Sequence, residues 1–158
     1  MDPLDLCYAA ALRILKVRFN STAELRRKLA AKKFDPETVD ATLARLRSEK
    51  WLDDGRFADA FVRTRLRKRI GPLRIRRELS AAGVDGEVAT GALRSNVDAE
   101  GEREALESLC RKKAAVLERK HGAEFVRSRE GRAKLAGSLA RSGYDSAAII
   151  DVIDDLVR

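Results

Sequence analysis

A chain of 158 residues can form one compact domain or a short array of smaller units. Apolar residues reach 44% but aromatics only 5%, a balance of Ala, Leu and Val that favours packed helices and argues against a sheet protein. The formal charge of +8 points to anionic partners, and no apolar run approaches the roughly 20 residues of a membrane span. The segment Met1–Asp5 is acidic and lacks the cationic region of a secretory signal. Cys7 and Cys110 are distant in sequence and lie inside helical patterns, so they read as small core residues of a reducing compartment, the cytoplasm by default.

Helix signals recur along the chain. Asp2-Pro3 pairs a capping aspartate with a proline at the first helical position, and Leu4, Cys7, Tyr8, Ala11 and Leu15 continue as one apolar stripe to about residue 19. Ser21-Thr22-Ala23-Glu24 is a capping box that opens a second helix, and Asp35-Pro36 opens a third. Asp53 or Asp54 starts a helix over 54–70, Gly71-Pro72 begins the next, and Asp85 caps another. A longer amphipathic helix is predicted over 99–121, and Asp145 caps the last one.

These segments repeat. Leu25, Leu29, Asp35, Val39 and Leu43 have counterparts 50 residues later in Ile75, Leu79, Asp85, Ala89 and Leu93. A shift of 110 gives Leu135, Leu139, Asp145, Ile149 and Ile153. Each set follows a longer helix, so the fold predicted is all-α: three tandem three-helix repeats, 1–52, 53–97 and 98–158, stacked as an extended, curved array. The third copy carries an insertion in its first helix or the loop after it. Net charge is +4, +4 and zero over the three segments, so the basic surplus belongs to the first two.

No catalytic constellation stands out. His121 is the only histidine; next to Gly122 it reads as a cation at a helix C-terminus, and no nucleophile, base and orienter can be assembled around it. Two cysteines and one histidine have no metal-ligand spacing, and no glycine-rich phosphate loop occurs. The expectation is a binding protein that is not an enzyme and uses no cofactor or metal.

The binding surface is expected in the stretch Arg63, Arg65, Arg67, Lys68, Arg69, Arg74, Arg76 and Arg77, which contains no acid. Such density repels itself unless an anionic surface is near, either phosphate backbone or an acidic protein face. Aromatics are not interleaved with this stretch, so base stacking is not indicated there. Arg26 and Arg27 are further candidate contacts. Arg65 falls among Ala58, Phe61, Val62 and Leu66 on the apolar stripe, where its repeat counterpart is the core-like Leu15. It is either a buried, paired charge or a group presented to a partner where the helix overhangs its core.

Read together, three stretches resemble the RecX family of recombinase regulators. They are Arg18-Phe19-Asn20-Ser21-Thr22-Ala23-Glu24-Leu25, Trp51-Leu52-Asp53-Asp54-Gly55-Arg56-Phe57-Ala58 with Arg65, and Gly71-Pro72-Leu73-Arg74-Ile75-Arg76-Arg77-Glu78-Leu79 with Gly83-Val84. The chain departs from the family pattern at Lys33 and Lys50, where glycine is usual, and at Asn20, where a base is common. The resemblance implies a bacterial cytoplasmic protein, monomeric, that binds the RecA recombinase–single-stranded DNA filament. It further implies inhibition of the filament's ATPase, strand-exchange and coprotease activities, with DNA phosphate as a second contact. The alternative is a helical protein that binds DNA nonspecifically without recombinase, and a third reading is a scaffold solubilised by its charge.

Overall fold

The computed structural model describes residues 1–158, which form ten α-helices. They are α1 (Pro3–Val17), α2 (Thr22–Ala31), α3 (Pro36–Ser48), α4 (Asp54–Arg67) and α5 (Pro72–Ala81), followed by α6 (Gly86–Asn96), α7 (Ala99–His121), α8 (Ala123–Arg127), α9 (Arg129–Arg141) and α10 (Ser146–Val157). The chain is all-α, as expected, and the twelve apolar positions of the repeat are all buried, none more than 6% exposed. The three aspartates between them stay at the surface, where Asp35 accepts from Thr38 N, Asp85 from Glu87 N and Asp145 from Ala147 N and Ala148 N. Each cap satisfies donors that a helix start leaves open and is worth about 1 kcal/mol. Thr38 also donates its hydroxyl to Asp35, and these bonds hold the carboxyl below its ordinary range.

The capping box is only half made. Ser21 Oγ accepts from Glu24 N at 3.0 Å, but the Glu24 carboxylate turns to Arg18, 3.0 Å away. The insertion in the third repeat is both a longer helix and an extra one. Helix α7 runs for 23 residues, Gly122 breaks it at φ +90°, and the five-residue α8 follows. Helices α1 and α4 end earlier than their periodicity suggests, at Val17 and Arg67.

Termination follows one rule five times. At Lys33, Lys50, Arg69, Gly83 and Gly143 the chain turns left-handed, with φ of 71°, 62°, 54°, 77° and 100°. In each case that residue's amide and the next one bond back to carbonyls of the helix just ended. Lys33 N reaches Ala30 O and Phe34 N reaches Leu29 O, while Gly83 N and Val84 N reach Ser80 O and Leu79 O. These are Schellman ends, which usually place glycine at the left-handed position. The three turns between second and third helices, at 33, 83 and 143, keep the register of the repeat.

Two compact units result. The first comprises residues 1–61 and 78–92, the second 62–77 and 93–158, so the helices of the middle segment are divided between them. A junction made twice explains the division. In the first unit Ser21, at the start of α2, donates its hydroxyl to Ala82 O at 2.5 Å, and a Cβ on Gly83 would lie 2.3 Å from that of Ala23. In the second unit Gly71, the counterpart of Ser21, donates its amide to Ser142 O at 2.7 Å, and Leu73 N donates to Gly143 O at 3.1 Å. A Cβ on Gly71 would lie 2.2 Å from Gly143 O, so only glycine allows the backbones this close.

Inside the first unit α1, α2 and α3 pack mutually around Cys7, Leu25, Leu29, Leu43 and Leu46. Inside the second, α7 packs on α8, α9 and α10 around Leu106, Cys110, Leu135, Leu139 and Ile149. Both cysteines are buried free thiols. No helix is long and apolar enough to cross a membrane.

Tyr144 lies in the second core at 4% exposure and donates its hydroxyl to Arg69 O at 3.1 Å. Burial, reinforced by the Glu102 carboxylate, pushes its phenol up to about 12. In the unfolded chain a tyrosine ionises near pH ~10. The raised folded value means that this contribution is complete below about pH 10 and is lost as pH rises toward 12.

Four outcomes follow from this geometry. Lys33→Gly relieves a left-handed lysine and raises stability by about 1 kcal/mol, read as a higher urea midpoint. Gly71→Ala drives a methyl into a carbonyl and lowers stability by about 3 kcal/mol, while Gly91→Ala, whose methyl meets open space within α6, gains about 1 kcal/mol. Between about pH 10 and 12 the unfolding free energy falls by about 2 kcal/mol more in the wild type than in Tyr144→Phe, measured by urea denaturation at each pH.

Candidate anion-binding surface

The basic stretch occupies a corner: the last turns of α4, the left-handed Arg69, Gly71-Pro72 and the first turns of α5. All of it lies in the second unit. The corner is fixed from three directions. Lys68 N and Ile70 N bond to Arg65 O, Gly71 N and Leu73 N bond to the α9–α10 turn, and Tyr144 holds the carbonyl of Arg69. The cations are thus mounted on a backbone whose amides and carbonyls are already engaged.

Arg63, Arg67, Lys68, Arg69, Arg74, Arg76 and Arg77 are exposed. Arg65 is half-buried and makes an interaction within the chain, as do Arg74 and Arg76. This placement fits the paired alternative for Arg65 more closely than the free overhang. Its counterpart Leu15 is half-buried rather than a core residue. No carboxylate forms an ion pair with Arg63, Arg67, Lys68 or Arg77.

The helix dipoles divide the corner. Cations at the end of α4 face its negative pole and are stabilised there. Those in α5 stand at a positive pole, and α5 has no acid in its first turn, unlike α2, α3, α4, α6, α7, α8 and α9. The first amides of α5 are not free to grip an anion, because the Ser142 and Gly143 carbonyls occupy them. An anion at this corner is therefore met by side chains, mostly guanidinium groups, which bind phosphate and carboxylate oxygens in pairs.

Arg26 and Arg27 belong to the first unit, exposed on α2. The Arg26 guanidinium is already paired with Asp40 at 3.0 Å. The zero net charge of residues 98–158 conceals a further basic site. Lys112, Lys113, Lys134 and Arg141 line one groove between α7 and α9, over Leu109, Val116 and Gly137. The acids lie elsewhere: Arg103 takes Glu107 and Asp155, and Arg132 takes Asp154. The spacing of Lys134 and Arg141, seven residues apart on one helix face, was the signal, and a summed charge erased it.

His121, at the end of α7, packs its ring on Phe125 with centroids 4.4 Å apart. Its surroundings are those of a helix terminus closed by Gly122, whose amide bonds to Glu118 O.

Comparison with known proteins agrees with this architecture. Residues 7–46 match the family model described as RecX, first three-helix domain, and residues 53–93 match RecX, second three-helix domain. The regulatory protein RecX of Xanthomonas campestris (strain B100) is 35% identical over 139 residues, covering 88% of this chain and 80% of its own length. That of Xanthomonas axonopodis (strain 306) is 38% identical with the same coverage. The crystal structure of RecX from Lactobacillus salivarius superposes with a TM-score of 0.83 at 25% identity, over 98% of this chain and 97% of that one. By motif, by sequence and by fold, the chain belongs to the RecX family of regulatory proteins.

Proposed function

We propose that this protein binds the RecA recombinase–single-stranded DNA filament and inhibits its ATPase, strand-exchange and coprotease activities, acting without catalytic chemistry or cofactor in the cytoplasm. The observation that carries the reading is the fixed corner between α4 and α5, with four exposed cations that no carboxylate neutralises, in a chain of the RecX family. A filament offers both acidic protein surface and DNA phosphate, and the corner fits either chemistry. Binding at a preorganised surface loses little conformational entropy, which favours a long-lived block of the filament.

The same corner supports a second reading, nonspecific binding to DNA alone. Phosphate-driven binding weakens steeply with salt for any sequence and needs no recombinase. The two are separated by one experiment: recombinase ATPase on single-stranded DNA, titrated with the wild type and with a variant carrying Arg63, Arg67, Lys68 and Arg77 as glutamate. The wild type inhibits, and the variant, folded by circular dichroism, needs about tenfold more protein or fails. Inhibition by both proteins moves the interface away from the corner. No inhibition by either, with salt-sensitive binding to naked DNA, rejects the recombinase reading in favour of the second.

A further inference from the structure

The first unit carries an aromatic groove that the basic corner does not involve. The end of α1, the loop after it, the turn after α3 and the start of α4 enclose about 610 Å³ open to solvent. Phe19 and Trp51 line it at 56% and 57% exposure, with Leu12 and Leu15 as floor and Lys16, Lys50 and Arg56 as rim.

The exposure of Trp51 is anomalous for its position. It follows a left-handed Schellman residue, where an apolar side chain normally folds back on its helix. In the equivalent places Val84 and Tyr144 are buried, at 6% and 4%, and Phe34 and Ile70 are half-buried. Only Trp51 keeps more than half of its surface in water, although Trp51 N is tied to Leu46 O at 2.9 Å and the next residue, Leu52, is 3% exposed. The indole is therefore held outward by a rigid turn.

Phe19 is held in the same way. Its carbonyl accepts from Arg18, and the following Asn20, 2% exposed, donates to Arg18 O and accepts from Lys28. The rim is cationic through Lys16 and Lys50, because Glu49 is engaged by both the Tyr8 hydroxyl and Arg45, while Arg56 is itself held by the Lys50 carbonyl and by Asp53 at 3.7 Å. Glu49 sits below its ordinary range for that reason, with the Tyr8 bond as the larger cause.

Two preorganised aromatic faces under a basic rim match one ligand chemistry closely: unpaired nucleobases joined by phosphates. A duplex hides its base faces within the stack, and phosphate contacts alone need no aromatic. We propose that this groove binds single-stranded nucleic acid by stacking bases on Trp51 and Phe19, with Lys16 and Lys50 on the phosphates. The site is separate from the basic corner and does not rest on the recombinase reading.

Trp51 is the only tryptophan, so its emission reports from the groove directly. The test titrates the protein, without recombinase, with an oligothymidylate of about 16 nucleotides and with an abasic strand of equal length. Saturable quenching by the oligothymidylate, with the abasic strand about tenfold weaker, is expected. Anisotropy of a labelled oligothymidylate should show about tenfold weaker binding to Trp51→Ala and Phe19→Ala, and near-normal binding to Trp51→Phe. Equal binding of the abasic strand overturns stacking, and it does so on the wild type, whatever the variants' folding. Unchanged affinity in Trp51→Ala overturns it too. Emission that responds to polyglutamate but not to the oligothymidylate assigns the groove to an acidic protein instead.

Discussion

Two backbones touch where Gly71 meets Gly143, and the geometry of the second unit depends on that contact. With no side chain between them, the amides that open α5 close onto the carbonyls that end α9. A helix start and a helix end are the two places where backbone polar groups lack partners, so joining them satisfies both without using any side chain. The opposed poles of the two helices also attract. The first unit makes the related contact through Ser21 and Ala82, with a hydroxyl supplying the donor that an amide supplies at Gly71. A short hydroxyl linker and a bare glycine are thus two solutions to one spacing problem.

This contact governs the candidate surface as well. A run of like charges favours disorder, since repulsion and entropy both oppose holding it in one conformation. Here the run bridges two helices whose turn is tied down by Ser142, Gly143 and the Tyr144 hydroxyl, all from the segment with no net charge. The division of labour is physical. One segment concentrates cations, and another, electrically neutral overall, supplies the carbonyls and the buried phenol that keep them in place.

The helices and core were legible because twelve apolar residues recur at helical spacing and each third helix begins with an aspartate whose only local use is a cap. The turns were less so. Lys33, Lys50 and Arg69 adopt a conformation that chemistry assigns to glycine; the repeat aligns Lys33 with Gly83 and Gly143, and the resemblance marks Lys33 and Lys50 as usual glycine positions, but neither signal reaches Arg69. The basic stretch was visible as sequence, but its mounting was not, since Tyr144 and Arg69 are 75 residues apart. The groove at Trp51 was invisible, and the lysine groove of α7 and α9 left only the Lys134–Arg141 spacing, for a related reason. Each joins residues from separate helices, and neither aromatic content nor summed charge reveals where side chains converge.

The insertion in the third repeat has a place in the same scheme. Gly131 is the counterpart of Ser21 and Gly71, the position that meets a following repeat's turn in the first two copies. In the third copy it meets α8 instead: a Cβ on Gly131 would lie 1.9 Å from Phe125 O, and Ser128 Oγ donates to the same carbonyl at 2.6 Å. The five-residue helix brings the Phe125 carbonyl against that glycine, so a close backbone approach recurs at this position inside one repeat. An added element that looks like a departure from the pattern in sequence thus presents the same steric demand at the same position, met again by glycine.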